Sequence, residues 1–426
     1  MLPPLGACGK TVPLERALGI MYPVTDRVLV LGSGFAGLWA ALGAARRLAE
    51  LGVSPDAVEV LVISSQPFHD IRVRNYEADI SACRIPLGDV LDPAGVRHVV
   101  GDVTGIDAPA RIVSLADGTA YGFDRLVLAV GSEVVRPDIP GLSEFGFDVD
   151  TYDAAQRLQD HLRTLSARAA DPAASTAVVV GAGLTGIETA CELPDMMRAV
   201  FGGDARPRVV LIDHNPYVGS NMGTSARPVI EKALADNGIE SMTGVRVTSV
   251  DGAGITLSSG ETLPAATVVW CAGMRANPLT AQLGVERDRL GRVPVDDYLR
   301  VIGVPGVFAA GDVAAARMDD EHLSVMSCQH SRPMGRYAGY NVIGDLCGAP
   351  LLPLRIPWYV TVLDLGPAGA VYTEGWDRQV VADGEQAKAT KRVINTQRIY
   401  PPLDRDRAAL LAAAAPTLQT APARGE

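Results

Sequence analysis

The chain has 426 residues, 48% of them hydrophobic and 20% charged, with a formal net charge of −11. That length holds two or three domains of ordinary globular composition, and the negative balance argues against a broad nucleic-acid surface. Its six cysteines (Cys8, Cys83, Cys191, Cys271, Cys328 and Cys347) lie far apart, without Cys-x-x-Cys, metal-ligand spacing or a dense secreted framework. This fits a cytoplasmic protein with no metal site, and no apolar run approaches the ~18 residues of a membrane span.

Residues 1–21 carry Pro3, Pro4, Lys10, Pro13, Glu15 and Arg16 and lack an apolar signal-peptide core, so they read as a disordered extension. A first unit spans 22–150. Its apolar run at 27–31 enters Gly32-Ser33-Gly34-Phe35-Ala36-Gly37, a helical pattern continues to about residue 51, and Val58–Ile63 reads as a parallel strand. In such a loop the first glycine permits the tight turn, the second lets backbone approach a pyrophosphate, and the third lets helix pack against strand. The helix N-terminus then offers free N–H groups to the phosphates. Residues 98–130 read as a small antiparallel insertion, closed by the strand at 125–130 that ends in Ala129, Val130 and Gly131.

The pattern repeats at 151–275, which indicates internal duplication. After an amphipathic helix at about 153–168, the strand at 176–180 enters Gly181-Ala182-Gly183-Leu184-Thr185-Gly186, and a second strand ends at Asp213. A helix near 226–237 and strands near 245–250 and 253–258 follow, and the strand at 267–271 runs into Ala272-Gly273. From 276 to 345 the chain returns to the first unit. There a short apolar piece ends in Ala310-Gly311-Asp312, ahead of a helix at 328–347. Residues 346–403 form a third, smaller α+β unit, and 404–426 a short helix and flexible tail. The whole reads as α/β, with two Rossmann-like domains. Two such loops imply two dinucleotides, of which a flavin and a nicotinamide nucleotide are the economical pair.

Several side chains carry candidate chemistry. Glu188, one turn into the second helix, is either a carboxylate stabilising a positive dipole end or a neighbour of the nicotinamide. An acid at the end of a second strand binds the adenosine ribose and repels a 2′-phosphate, so Asp213 favours NADH over NADPH. Ser64 holds the equivalent place in the first unit. Ser64 and Ser65 either hydrogen-bond a ribose or are satisfied strand-end serines. Asp312 suits a flavin ribityl hydroxyl, and also an N-cap for the helix that follows. Cys328 is either redox-active or, like most lone cysteines, buried and inert.

Taken in order, these motifs resemble those of the two-dinucleotide-binding flavoprotein oxidoreductases with glutathione-reductase-like architecture, and within them the type II NADH dehydrogenases. The resemblance rests on 32–37, Asp124–Gly131, Gly181–Glu188, Trp270–Leu279 and Phe308–Asp312, and covers residues 26–345. It implies FAD in the first unit, NADH in the second, and hydride transfer from nicotinamide to flavin, followed by reduction of a quinone or quinone-like acceptor. Two departures stand out. The Ala-Gln-x-Ala of bacterial relatives is Cys328-Gln329-His330-Ser331 here, and no membrane-attaching C-terminal helices are evident.

The segment 327–332 is expected on the acceptor side, with Gln329 orienting a carbonyl and His330 supplying a proton; both could instead pack or cap the helix. Competing readings are a soluble flavoenzyme acting on a small metabolite, and a non-catalytic flavin- and NAD-binding redox sensor. Dithiol chemistry is disfavoured by the absence of paired cysteines. A homodimer and peripheral membrane contact, for which Lys388, Lys391 and Arg392 offer only a small basic cluster, remain open at this level.

Overall fold

The computed structural model describes residues 26–422, apart from 169, 170, 204 and 419. The expected extension at 1–21 lies outside the described residues. The first unit begins with β1 (Asp26–Leu31), whose last four residues are buried, followed by α1 (Phe35–Leu51) and β2 (Val58–Ser64). β3 (Arg97–Val100) and β4 (Arg125–Leu128) complete this part of the sheet. β2 pairs parallel with β1, Val28 opposite Val60, and β4 pairs parallel with the other side of β1, Val28 opposite Arg125. The near-continuous Val/Leu/Ile runs are those of strands buried on both faces. Residues 98–100, read from sequence as part of the insertion, instead pair in parallel with β2. The insertion itself is the three-stranded antiparallel sheet Val103–Asp107, Ile112–Leu115 and Ala120–Gly122.

The second unit repeats the plan with β5 (Thr176–Val180), α2 (Leu184–Phe201), β6 (Arg208–Asp213), β7 (Ile239–Thr243) and β8 (Thr267–Trp270). Its all-parallel sheet runs from the two-residue strand Gly146–Phe147 through β8, β5 and β6 to β7. The antiparallel pair of Ser132–Val134 with Met274–Ala276 ties the two units where the chain crosses between them.

The chain then re-enters the first sheet as β9 (Val307–Ala309), parallel to β4, and continues as α3 (Cys328–Cys347). α3 lies against α1 through small residues. A Cβ on Gly335 would stand 2.3 Å from the Ala36 carbonyl oxygen, and one on Gly339 2.0 Å from that of Ala40. Only glycine permits this approach, which brings the start of α3 beside the first glycine loop. The last unit is an antiparallel sheet of β10 (Val360–Asp364), β11 (Ala370–Glu374) and β12 (Gln379–Asp383), covered by α4 (Gly384–Val393).

The short helix Arg407–Ala413 docks on the first unit. Leu410 is buried, Arg46 donates to the Leu411 carbonyl at 2.8 Å, and Arg407 donates to that of Ala94 at 2.5 Å. Beyond it the described tail is tied down as well. Arg398 donates to the Thr420 carbonyl at 2.6 Å and Tyr372 to that of Pro422 at 3.0 Å. Among the described residues no helix is long and apolar enough to cross a membrane.

Candidate active site

Both glycine loops open onto one cavity of about 950 Å³. From the first loop Gly32, Ser33, Gly34, Phe35 and Ala36 line it, with Ala129 and Gly131 at the end of β4. From the second come Gly183, Leu184 and Thr185, with Gly273 beyond β8. The remaining glycines make the turns. Gly32 and Gly181 have φ of +99° and +106°, and a Cβ on Gly32 would stand 2.5 Å from the Ala129 carbonyl oxygen. Gly37 and Gly186 close each loop on itself, a Cβ on either meeting the carbonyl oxygen of Gly32 or Gly181 within 2.0 Å. Ala272 backs the second loop, its Cα 2.9 Å from a Cβ on Gly181.

At Gly34 and Gly183, the N-cap positions of α1 and α2, a Cβ would meet nothing within 4 Å among the described residues, and none of their side chains caps either helix. Each loop is thus a turn with open space at its middle glycine and unclaimed helical N–H groups, the donor set a pyrophosphate needs. α3 differs, since the Ser327 hydroxyl accepts from the His330 N–H at its start.

Asp312 lines the cavity just after β9. Its carboxylate accepts from the Ser132 hydroxyl at 2.6 Å and the Ser331 hydroxyl at 3.2 Å. Two serines from different segments thus fix its orientation, while Gly311 makes the turn behind it at φ +78°. Ser64 and Ser65 also line the cavity, but the Ser64 hydroxyl is already engaged, donating to the Gln66 carbonyl at 2.7 Å with His98 Nε2 at 2.8 Å. Asp213 is buried, and its two oxygens accept from the Ala182 N–H at 2.6 Å and the Asn215 N–H at 2.7 Å. The strand-end acid therefore braces the second glycine loop from behind.

Glu188 faces the cavity from α2 and is held by groups far away in the chain. Its carboxylate accepts from Lys391 Nζ at 2.7 Å and from the Asp364 N–H at 3.1 Å. Tyr76 donates to Asp364 at 3.2 Å, and Lys388 pairs with the same carboxylate. Burial pushes the Glu188 carboxyl above its ordinary range, and the Lys391 ammonium opposes that push. Burial also works against the charge on Lys391, but the carboxylates of Glu188 and Asp364 outweigh it and hold the ammonium above its usual value. The basic cluster noted in the sequence is therefore mostly turned inward. Only Arg392 is exposed, and it pairs with Glu385 at 2.6 Å.

Gln329 also lines the cavity, its Nε2 buried and, among the described residues, without a hydrogen-bond partner. His330 is placed differently from expectation. It is fully buried, its Nδ1 accepts from the Val325 N–H at 2.8 Å, and its ring lies 5.8 Å from that of Tyr359. Burial lowers its pKa to about 4 and favours the neutral imidazole, and the ring is not part of the cavity wall where a proton donor was expected. The Cys328 thiol lines the cavity, and burial raises its pKa away from the thiolate form. Burial likewise drives Cys191 and Cys271 up to about 12, which suits core thiols.

Sequence reasoning did not find Tyr76, Asp364, Lys391 or the cavity-lining Arg336 as site residues, and reached Arg332 only as the end of the segment 327–332. None sits in a short motif, and each gains its role from a contact across the fold.

The sequence profile of the pyridine nucleotide-disulphide oxidoreductases matches residues 26–335. The chain is 71% identical to an NADH dehydrogenase-like protein of Mycobacterium tuberculosis, over 93% of this chain and 100% of the relative. It is 31% identical to the type II NADH:quinone oxidoreductase of that organism, over 69% of this chain and 68% of the relative. The solved structure of NDH2 from Plasmodium falciparum in complex with NADH superposes with a TM-score of 0.72 at 13% identity, covering 92% of this chain and 98% of that one. With two glycine loops facing a shared cavity and a family match over most of its length, the chain belongs to the pyridine nucleotide-disulphide oxidoreductase family.

Proposed function

We propose that this NADH dehydrogenase-like oxidoreductase, which takes FAD and NADH as cofactors, passes its electrons to a quinone. The observation that carries this reading is that the two uncapped glycine loops and Gln329 line one cavity. In this reading the first loop and Asp312 hold FAD, and the second loop holds NADH, with Asp213 bracing it. Bound FAD supplies the chemistry of taking a hydride from nicotinamide and releasing two electrons to a second substrate.

The chain's own residues do the positioning. The N–H groups at the starts of α1 and α2 neutralise the two pyrophosphates. Asp312 accepts a ribityl hydroxyl while Ser132 and Ser331 fix its carboxylate. Glu188, kept in place by Lys391 and the Asp364 N–H, would present a carboxylate to the nicotinamide. Among the described residues the Gln329 amide N–H has no partner, and in this reading it donates to a quinone carbonyl. A buried donor left unsatisfied costs about 1–3 kcal/mol, so an acceptor carbonyl that pairs with it is favoured.

Rapid mixing tests the assignment. In Gln329→Ala, reduction of the flavin by NADH stays near the wild-type rate, while reoxidation by a naphthoquinone slows roughly tenfold or more, as for a lost hydrogen bond of 1.5 kcal/mol. Reoxidation at the wild-type rate with every quinone tried removes Gln329 from the acceptor site, and failure of the wild type to reduce any quinone overturns the function.

A further inference from the structure

Asn75 lines the cavity and is only 2% exposed, yet its Nδ2 and Oδ1 are both buried and, among the described residues, without a hydrogen-bond partner. Asparagine is common where its side chain caps a helix or closes a turn. Here it does neither. Asn75 follows the single helical turn Arg72–Arg74, and its backbone N–H closes that turn on the Arg72 carbonyl at 3.1 Å without help from the amide. A donor and an acceptor buried together and left unpaired are costly, and an apolar side chain of the same shape would avoid that cost. The amide is therefore placed for a ligand.

The segment that carries Asn75 is fastened at both ends to groups of the site. Arg72 donates to the Ser132 carbonyl at 2.8 Å and to its hydroxyl at 3.1 Å, and Ser132 in turn donates to Asp312. Tyr76 donates to Asp364, whose backbone N–H holds Glu188. Asn75 thus lies on the stretch of chain that links Asp312 to Glu188. With the ribityl chain at Asp312 and the nicotinamide at Glu188, the flavin ring that joins them chemically runs along this stretch.

The pairing chemistry narrows the ligand. An amide with both groups free matches a partner that offers a donor and an acceptor side by side. A quinone offers acceptors only. The pyrimidine ring of a flavin offers N3–H between two carbonyls, and the carboxamide of nicotinamide offers a similar pair. Asn75 belongs to the first unit, whose glycine loop holds FAD in the reading above, and this favours the flavin. We propose that the Asn75 amide binds the imide edge of the flavin ring, Oδ1 accepting from N3–H and Nδ2 donating to an adjacent ring carbonyl. This rests on the placement of FAD in the first loop. The contact orients the ring for hydride transfer and takes no part in bond making.

The test uses the flavin-loaded protein. It is equilibrated by dialysis against equal concentrations of FAD and 3-methyl-FAD, which carries a methyl group in place of the N3 hydrogen, and the bound flavins are separated and quantified. The wild type should hold FAD over 3-methyl-FAD by roughly tenfold or more, as for two lost hydrogen bonds. Asn75→Ala, which also leaves room for the methyl group, should bring that ratio close to unity, and Asn75→Ser serves the same comparison where the alanine variant does not fold. Rapid mixing then compares flavin reduction by NADH and by its reduced 3-acetylpyridine analogue, which lacks the amide N–H, and the ratio in Asn75→Ala should match the wild type. Equal uptake of the two flavins by the wild type overturns the proposal, as does an Asn75→Ala protein that still excludes 3-methyl-FAD. A lost preference for NADH in Asn75→Ala also overturns it, by giving the amide to the nicotinamide. Full retention of flavin by Gly34→Leu overturns the first-loop placement and the proposal with it, whereas equal uptake of the two flavins overturns the proposal alone.

Discussion

Lys391 on α4 reaches 2.7 Å to Glu188 on α2, across 203 residues of sequence. The contact joins the small C-terminal unit to the helix that follows the second glycine loop, inside the wall of the shared cavity. Removing one partner of a buried pair strands the other charge, so Lys391→Met should lose about 3–5 kcal/mol of stability. The sign with pH follows from the carboxyl. Burial already raises the Glu188 pKa, and losing the ammonium raises it further. A folded state that binds the proton more tightly than the unfolded chain loses stability as pH rises. The deficit of Lys391→Met relative to wild type should therefore widen from pH 5 to pH 8 in urea titrations, and Glu188→Gln/Lys391→Met should recover much of it. A deficit independent of pH would mean that Glu188 is not the group left stranded.

Asp312 is oriented by Ser132 and Ser331 from two different segments. Asp312→Ala should weaken FAD binding by about 1.5–3 kcal/mol, the worth of a hydrogen bond to a charged group. The ratio of flavin absorbance to protein after dialysis measures this. Full retention of flavin would show that the ribityl chain is held elsewhere.

Asp213 has both oxygens on backbone N–H groups, so its replacement acts in two ways. Asp213→Ser should narrow the preference for NADH over NADPH by roughly tenfold, as one charge-assisted hydrogen bond is lost. It should also raise KM for NADH, because the loop at Ala182 loses its brace. The comparison is kcat/KM for the two nucleotides. An unchanged ratio with a raised KM would leave Asp213 with the bracing role alone.

His69 and His330 are both fully buried, and burial lowers each pKa to about 4. The folded value lies below the unfolded 6.5, so the unfolded chain binds the proton more tightly. The stabilising contribution is present above pH 6.5 and is lost as pH falls towards 4, amounting to about 3 kcal/mol per histidine at the acid end. His330→Asn keeps an acceptor for the Val325 N–H and removes one titration. Its stability should depend less steeply on pH between 6.5 and 4 than that of the wild type. A slope equal to wild type would place the titrating group elsewhere.

What was legible in the sequence is what depends on neighbours along the chain. The two glycine loops, the parallel strands entering them and the helix Cys328–Cys347 follow from hydrophobic runs and turn residues within about twenty positions, and short-range sterics decide those features. The duplicated order of elements, and with it the family, follows from the same local signals.

The tertiary structure decided which side chains meet. It turned His330 into the interior, although it adjoins Gln329 in the wall, because successive helical residues point about 100° apart. It gave Lys388 and Lys391 carboxylate partners on β10 and α2, where the sequence shows only a basic run on a short helix. It set Arg332 and Arg336 by Trp39 through a glycine-lined crossing of α3 and α1, helices nearly 300 residues apart in the chain. Periodicity along one helix shows which face is apolar. Only the packed fold shows which distant charge, ring or backbone group that face will meet.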